Sequence, residues 1–306
     1  MLRLKPFLCI LLALILCAGC SVLPEPSSDA APSAAPESPV PTPEPAKTPV
    51  PTSEPTASPT PTLSPSPEPT PSPTPEPITE ERLDSGEFDS YFDDTLFLGD
   101  SITEAFSGFI RSLRETDAGT LGTAKLFGVR GMNVSIACRD EASPSGRSFR
   151  YAGKPVSVTE LINICAPKRV FIMLGSNDIT DRPWDMVGAQ FAQLIDTIHE
   201  KCPGVEIVMQ SIPPIMRPYC ELKGMPIDVY NSFNGTVLSE VCRDHDAELL
   251  DFSDMLKDGN GYLREDLCYD QQYHLTKKGE LIWVRALRLY AAQQMCPGAE
   301  TLLPEP

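Results

Sequence analysis

The chain has 306 residues, of which 41% are hydrophobic and 22% are charged, and its formal net charge at pH 7 is −17. This acidic balance argues against nucleic acid as a partner, because phosphate binding requires clustered Lys and Arg. Composition divides the chain into a leader (1–20), a linker (21–84), a domain (85–296) and a short tail (297–306).

The leader has the pattern of an export signal. Arg3 and Lys5 precede the apolar run 7–16, and small residues lead up to Cys20. A basic start and a short apolar core are typical of a secretory signal rather than of a membrane-spanning helix. The end of the leader also resembles the lipobox of bacterial lipoproteins, in which Cys20 would be lipidated after cleavage. Cys17 stands where that motif usually has Leu, so an ordinary signal peptide is the alternative.

The linker is dominated by proline, with 20 prolines among residues 24–77. Proline fixes φ and lacks a backbone donor, so this stretch can neither form a helix nor bury a core. We expect an extended spacer that reaches on the order of 150 Å when stretched; a tail without a spacing role is the alternative. Leader and linker together predict an exported protein, either lipid-anchored at the outer side of a bacterial cytoplasmic membrane or secreted.

The domain over 85–296 is long enough to bury one sizeable core. It contains seven cysteines without CxxC pairing or metal-ligand spacing, so no metal site is expected. Because seven is an odd number, at least one thiol is free or paired elsewhere, and the sequence does not give the connectivity.

Short apolar runs alternate with amphipathic stretches along the domain. The runs predict strands at 95–98, 125–127, 170–174, 205–209 and 248–250. The amphipathic stretches predict helices at 102–113, through 191–198, at 227–242 and after Thr276. The polar segment 139–156 is expected to be a surface excursion. Continuous apolar strands separated by such helices indicate a parallel sheet covered on both faces, in which ligands bind at the carboxyl ends of the strands.

Ser101 follows the first predicted strand directly. A serine at a strand-to-helix turn has an exposed hydroxyl, and the helix N-terminus favours negative charge that develops nearby. Gly99 permits the tight turn. An ordinary helix N-cap is the alternative interpretation of this serine.

Two other turns follow strands in the same way. Asn177 comes after the strand at 170–174, where its side-chain amide can donate to an oxyanion. Gly131 follows the strand at 125–127 and could offer a backbone donor. Each is also a common turn or loop residue.

His274 is the preferred general base among the three histidines of the chain. It lies in a loop just before the last helix, where a base can face a nucleophile from another strand. His199 lies on the polar face of a helix and His245 lies at a charged helix end, so both are expected to be surface residues.

Four sequence blocks carry a family resemblance. They are TLFLGDSIT, a glycine after the second strand, VFIMLGSND, and HLT before the last helix. In type and order they resemble the blocks of the SGNH (GDSL) hydrolase family, over essentially all of residues 94–292. The resemblance implies a three-layer α/β/α sandwich with a short parallel, flavodoxin-like sheet.

The resemblance also implies roles for single residues. Ser101 would be the nucleophile and His274 the general base. The backbone N–H groups of Ser101 and Gly131 and the side-chain amide of Asn177 would form the oxyanion hole. The reaction implied is ester hydrolysis through an acyl-enzyme, which needs neither a metal nor an organic cofactor.

One position departs from the family pattern. The family usually has Asp three residues before the catalytic His, and here that residue is Gln271. Asp270, one residue further back, is our preferred triad carboxylate, provided that the loop bulges. A Ser–His dyad, with the ring held by a backbone carbonyl or by Gln271, is the alternative. The weaker carboxylate candidates are Asp266, Asp100 and Asp178.

Export and the spacer favour acetyl esters on cell-envelope polysaccharide or peptidoglycan as the substrate. The expected partners are an acylated glycan or a small ester, and the membrane through the lipid anchor. A lipid esterase or lysophospholipase, and an acyltransferase, are alternatives. The displaced carboxylate also leaves open a catalytically silent glycan-binding protein on the hydrolase fold.

Overall fold

A computed structural model describes residues 75–142 and 146–303. The predicted signal, the lipidation site Cys20 and nearly all of the proline-rich stretch lie outside the described residues. The strands are β1 (Ile78–Thr79), β2 (Thr95–Gly99), β3 (Lys125–Gly128), β4 (Phe149–Tyr151), β5 (Lys154–Val156), β6 (Arg169–Met173), β7 (Glu206–Gln210), β8 (Glu248–Leu250) and β9 (Thr301–Leu302). The helices are α1 (Glu80–Asp84), α2 (Ser101–Arg114), α3 (Val134–Ala137), α4 (Val158–Cys165), α5 (Trp184–Lys201), α6 (Arg217–Lys223), α7 (Ile227–Phe233), α8 (Ser239–Asp244) and α9 (Lys277–Met295).

The centre of the fold is a five-stranded parallel sheet with the strand order β3-β2-β6-β7-β8. Its inner strands are buried because their apolar side chains cover both faces, and every residue of β2 is buried. Helices α2 and α9 pack together, and α5 packs with α4 and with α8. The predicted parallel sheet with helical cover is therefore confirmed.

Aromatic side chains form much of the core around the central strands. Phe97 of β2 and Phe171 of β6 stack with their ring centroids 4.9 Å apart. Phe106 of α2 stacks on Trp283 of α9 at 3.9 Å, and the indole N–H donates to the side-chain Oε1 of the buried Gln210 at 2.8 Å. These contacts fix α2 and α9, the two helices that begin next to Ser101 and His274, against the sheet.

The limits of the folded domain differ from those predicted. Ile78 in β1 pairs with Thr301 in β9, and Glu80 of α1 forms a 2.6 Å ion pair with Arg285 of α9. The boundary placed at residue 85 is therefore too late, and part of the predicted tail belongs to the fold. Proline-rich composition hid this short strand, because a two-residue pairing leaves no hydrophobic period to read.

Two local predictions also change. The helix predicted at 227–242 is interrupted by a π-helical turn, Asn234–Leu238, between α7 and α8. The turn lets the buried Asn234 side chain accept from the Ile212 N–H and donate to the Ile212 carbonyl, both at 2.9 Å. The surface segment 139–156 contains the antiparallel hairpin β4–β5.

Seven cysteines of the described chain are free thiols. Within the described ranges, no helix has both the length and the apolar character that crossing a bilayer requires.

Glu280 of α9 is the basis of a pH-dependent stability prediction. Only 6% of its surface is exposed, and burial raises its pKa to about 7, although Lys277 opposes the shift. The pKa of Glu280 is higher in the folded chain than its ordinary value of 4.5. The free energy of unfolding therefore falls as pH rises from that value to about 7, and it stays reduced at higher pH. We expect Glu280→Gln to stabilise the chain at pH 8 by about 1–3 kcal/mol, and to have little effect at pH 4. Urea unfolding at the two pH values measures this.

Exposed Glu300 provides the control. Glu300→Gln should change stability by less than about 0.5 kcal/mol at either pH. An equal gain from Glu280→Gln at pH 4 and at pH 8 would contradict the ionisation argument.

Candidate active site

Ser101 is the first residue of α2, at the point where β2 ends and the chain turns. The turn depends on Gly99, since a Cβ there would lie 2.1 Å from the Thr103 Oγ1 and 2.6 Å from the Met173 carbonyl oxygen. Asp100 caps the helix by accepting from the Ile102 N–H at 2.9 Å. The Ser101 side chain is half-buried and lies at the carboxyl end of the sheet.

His274 lies against Ser101, from the loop that leads into α9. Its Nε2 is 2.8 Å from the Ser101 Oγ, and its Nδ1 makes a short hydrogen bond with the Asp270 Oδ2. Thr276 caps α9 by accepting from the Gly279 N–H, which fixes the end of the loop. The three side chains thus form a continuous Asp–His–Ser relay.

A local bulge brings Asp270 to the imidazole. Gln271 adopts the left-handed φ of 59°, which displaces the chain between Asp270 and His274. The other carboxylate oxygen, Oδ1, accepts from the Gln272 N–H at 2.9 Å and from the Cys268 thiol at 3.4 Å. Gln271 itself lines a neighbouring cleft rather than the relay.

The charge of Asp270 is favoured by these contacts. Burial raises the pKa of Asp270, but hydrogen bonds from His274, from the Gln272 N–H and from Cys268 outweigh burial and leave the pKa below its usual value. The carboxylate is therefore ionised at neutral pH, where it can orient the imidazole and stabilise its charged form.

The three weaker carboxylate candidates lie elsewhere. Asp266 is exposed and pairs with Arg264 and Lys278, whose hydrogen bonds lower its pKa to about 2. Asp100 is fully buried behind Ser101, and burial raises its pKa to about 6. Asp178 accepts from the Val134 N–H at 3.1 Å and so braces the start of α3. None of the three is hydrogen-bonded to His274 in the described chain.

The other two histidines lie near each other, on α5 and at the end of α8, away from Ser101. The His199 Nε2 is 3.1 Å from the His245 carbonyl oxygen, and the His245 Nδ1 is 2.7 Å from the Asp196 carboxylate. Neither residue lines the cleft that contains Ser101.

Gly131 and Asn177 line that cleft beside Ser101. Gly131 has a φ of 70°, which an L-residue rarely adopts, so its position depends on glycine. The Asn177 amide donates to the Met132 carbonyl at 2.9 Å and lies 3.2 Å from the Asp100 carboxylate. An amide nitrogen carries two hydrogens, and these two contacts can use both of them.

The cleft has a volume of about 500 Å³ and is lined by all five residues predicted for catalysis and the oxyanion hole. Sequence reasoning missed Tyr269 and Tyr273, whose rings flank His274 with centroids 5.9 and 4.8 Å from the imidazole. Their proximity to His274 in the chain was the only available signal. An ion pair at 3.5 Å between Arg130 and Glu104 forms part of the cleft wall.

Solved structures with similar folds include several ester hydrolases. A Streptococcus pneumonia protein named for platelet activating factor matches at 22% identity and a TM-score of 0.49, covering 69% of this chain and 92% of its own. A GDSL-like lipase from Bacteroides thetaiotaomicron matches at 16% identity and a TM-score of 0.48, and the match covers 65% of this chain and 88% of the lipase. A psychrotrophic esterase from Pseudoalteromonas sp. matches at 18% identity and a TM-score of 0.46, and the match covers 66% of this chain and 98% of the esterase.

None of the curated proteins matches this sequence. A family model gives the assignment instead. The model of the GDSL-like lipase/acylhydrolase family matches residues 97–282, a range that runs from β2 into α9 and includes Ser101 and His274. Because this range is more than half of the chain, the chain belongs to the GDSL-like lipase/acylhydrolase family.

Proposed function

We propose that the chain is an exported esterase that removes short acyl groups, with acetyl as the preferred group, from a cell-envelope polysaccharide or peptidoglycan. Family membership makes the chain an ester hydrolase. The observation that carries the proposed mechanism is the relay from Asp270 through His274 to Ser101, with its 2.8 Å contact between the base and the hydroxyl.

The reaction proceeds in two steps. His274 takes the proton of the Ser101 hydroxyl, whose oxygen attacks the ester carbonyl, and the protonated imidazole then gives that proton to the leaving alcohol. Water, activated by His274, attacks the acyl-enzyme and releases the acid. Asp270 holds the ring and stabilises its charged form in both steps. All these groups come from the chain.

The oxyanion is stabilised by the Ser101 and Gly131 N–H groups and by the Asn177 amide. We expect Asn177→Ala to lower kcat by about 10²–10³-fold, because this donor acts on charge that develops in the transition state. KM should change little. Steady-state kinetics with p-nitrophenyl acetate measure both constants.

Asn163 provides the matched control, since its amide only reaches the Lys201 carbonyl at 3.4 Å on the surface. Asn163→Ala should retain wild-type kcat. If Asn177→Ala raised KM and left kcat unchanged, Asn177 would be assigned to substrate binding instead.

Two features support a small acyl group on a wall polymer. The cleft wall beside Ser101 includes the charged and amide side chains of Glu104, Arg130 and Asn177, which can form hydrogen bonds with the hydroxyl groups of a sugar. The proline-rich spacer would hold the domain away from a membrane anchor at Cys20.

Acid-release profiling of the full-length chain tests this proposal. The substrates are O-acetylated peptidoglycan, acetylated xylan and vesicles of lysophosphatidylcholine, with Ser101→Ala as the control. We expect acetate from at least one of the polymers and little fatty acid from the vesicles. Preferential fatty acid release would favour a lysophospholipase, and acyl transfer to added sugar would favour an acyltransferase.

A further inference from the structure

A second cleft adjoins the proposed catalytic one. It has a volume of about 420 Å³, within the roughly 300–1,000 Å³ that is typical of small-ligand sites. Tyr269 lines both clefts, and the loop that carries the relay forms the wall between them. On one side of this wall lie Asp270 and His274, and on the other side lie Cys268 and Gln271.

The second cleft combines an aromatic face with groups of both charges. The Arg217 guanidinium lies over the Tyr262 ring, 4.3 Å from its centroid. Asp258, Glu265 and Gln271 are exposed and line the same cleft. None of these five side chains takes part in the relay at Ser101.

This chemistry fits a sugar better than an acyl chain. Sugar hydroxyls both donate and accept hydrogen bonds, so they can satisfy guanidinium, carboxylate and amide groups together. The C–H face of a sugar ring can pack on the tyrosine rings. An acyl chain would strip water from the charged groups without replacing its hydrogen bonds, which is unfavourable.

Tyr269 connects the two clefts. One face of its ring stacks against His274, and 63% of the residue is exposed, so the ring also has a surface open to a ligand. A ligand that passes over Tyr269 would have one end near Ser101 and the other near Tyr262.

We propose that the second cleft is a subsite for the sugar unit next to the esterified one, so that the enzyme recognises a glycan chain rather than a single acylated sugar. This inference rests on the proposed glycan esterase function. Contacts with the second unit can be used to hold the ester against Ser101, which raises kcat/KM for longer substrates.

The test compares acetylated xylose with acetylated xylotetraose on the full-length chain. We expect wild-type kcat/KM for acetate release to be at least about tenfold higher for the tetrasaccharide. Tyr262→Ala and Arg217→Ala should each remove most of this gain. Both variants should retain hydrolysis of p-nitrophenyl acetate to within about twofold, because that ester does not reach the second cleft.

Tyr151 provides the control variant, since it is an exposed tyrosine on the β4–β5 hairpin outside both clefts. Tyr151→Ala should keep the full gain with chain length. Equal kcat/KM for the two saccharides in the wild type, or an undiminished gain in both Tyr262→Ala and Arg217→Ala, would overturn the subsite and leave the esterase proposal standing. Hydrolysis of p-nitrophenyl acetate without release of acetate from either saccharide would overturn the glycan substrate and the subsite together.

Discussion

Ser101→Ala should abolish hydrolysis of p-nitrophenyl acetate, with a fall in kcat of at least about 10⁴-fold. The Ser101 Oγ is the atom that faces the His274 Nε2 at 2.8 Å, so its loss removes the proposed nucleophile and leaves only the oxyanion donors. The change removes one oxygen from a half-buried residue, so the free energy of unfolding should change by less than about 1 kcal/mol. Initial rates and urea unfolding measure the two effects.

A second serine on the same helix provides the control. The Ser107 Oγ donates to the Leu126 carbonyl at 3.3 Å and does not line the cleft. Ser107→Ala should keep wild-type turnover and react with a fluorophosphonate probe, whereas Ser101→Ala should not react. Labelling of Ser101→Ala at wild-type rate would reject Ser101 as the nucleophile.

The sheet and most of the site could be predicted because both follow from short-range pattern. Buried parallel strands must be apolar on both faces, so 170–174 and 205–209 are visible as continuous hydrophobic runs. Ligands bind where such strands end, and this rule points to the turns that carry Ser101 and Asn177. The structure places both residues in one cleft.

Features that depend on single backbone conformations or on distant pairing could not be predicted. The left-handed φ of Gln271 has no signal in a residue type that seldom adopts it, yet it decides which carboxylate reaches His274. The pairing of Ile78 with Thr301 joins two residues from opposite ends of the folded domain. The second cleft could not be predicted for the same reason, because Arg217 and Tyr262 are distant in the chain and meet only through tertiary packing.

Asp270→Asn is expected to lower kcat by about 10²–10⁴-fold, the second-largest effect among the substitutions considered. An amide can occupy the same space, but it does not stabilise the charged imidazole and it can hold the ring in the wrong tautomer. Gln271→Ala should cost less than about threefold, because the Gln271 side chain lies outside the relay. Asp266→Asn, a nearby exposed carboxylate, should also be close to neutral. Steady-state kinetics with p-nitrophenyl acetate rank the three variants.

Stability at two pH values separates the carboxylate's charge from its shape. The folded pKa of Asp270 lies below the ordinary value of 3.8, so the ionised carboxylate adds stability above that pH and loses it as pH falls through the folded pKa. Asp270→Asn should therefore destabilise the chain at pH 7 more than at pH 3. If Asp270→Asn kept full activity while Gln271→Ala lost it, the ring would be held by Gln271, and the enzyme would act as a Ser–His dyad. The bulge at Gln271 argues instead for a large loss of activity in Asp270→Asn. It brings the Asp270 carboxylate to the imidazole and places Gln271 in the neighbouring cleft.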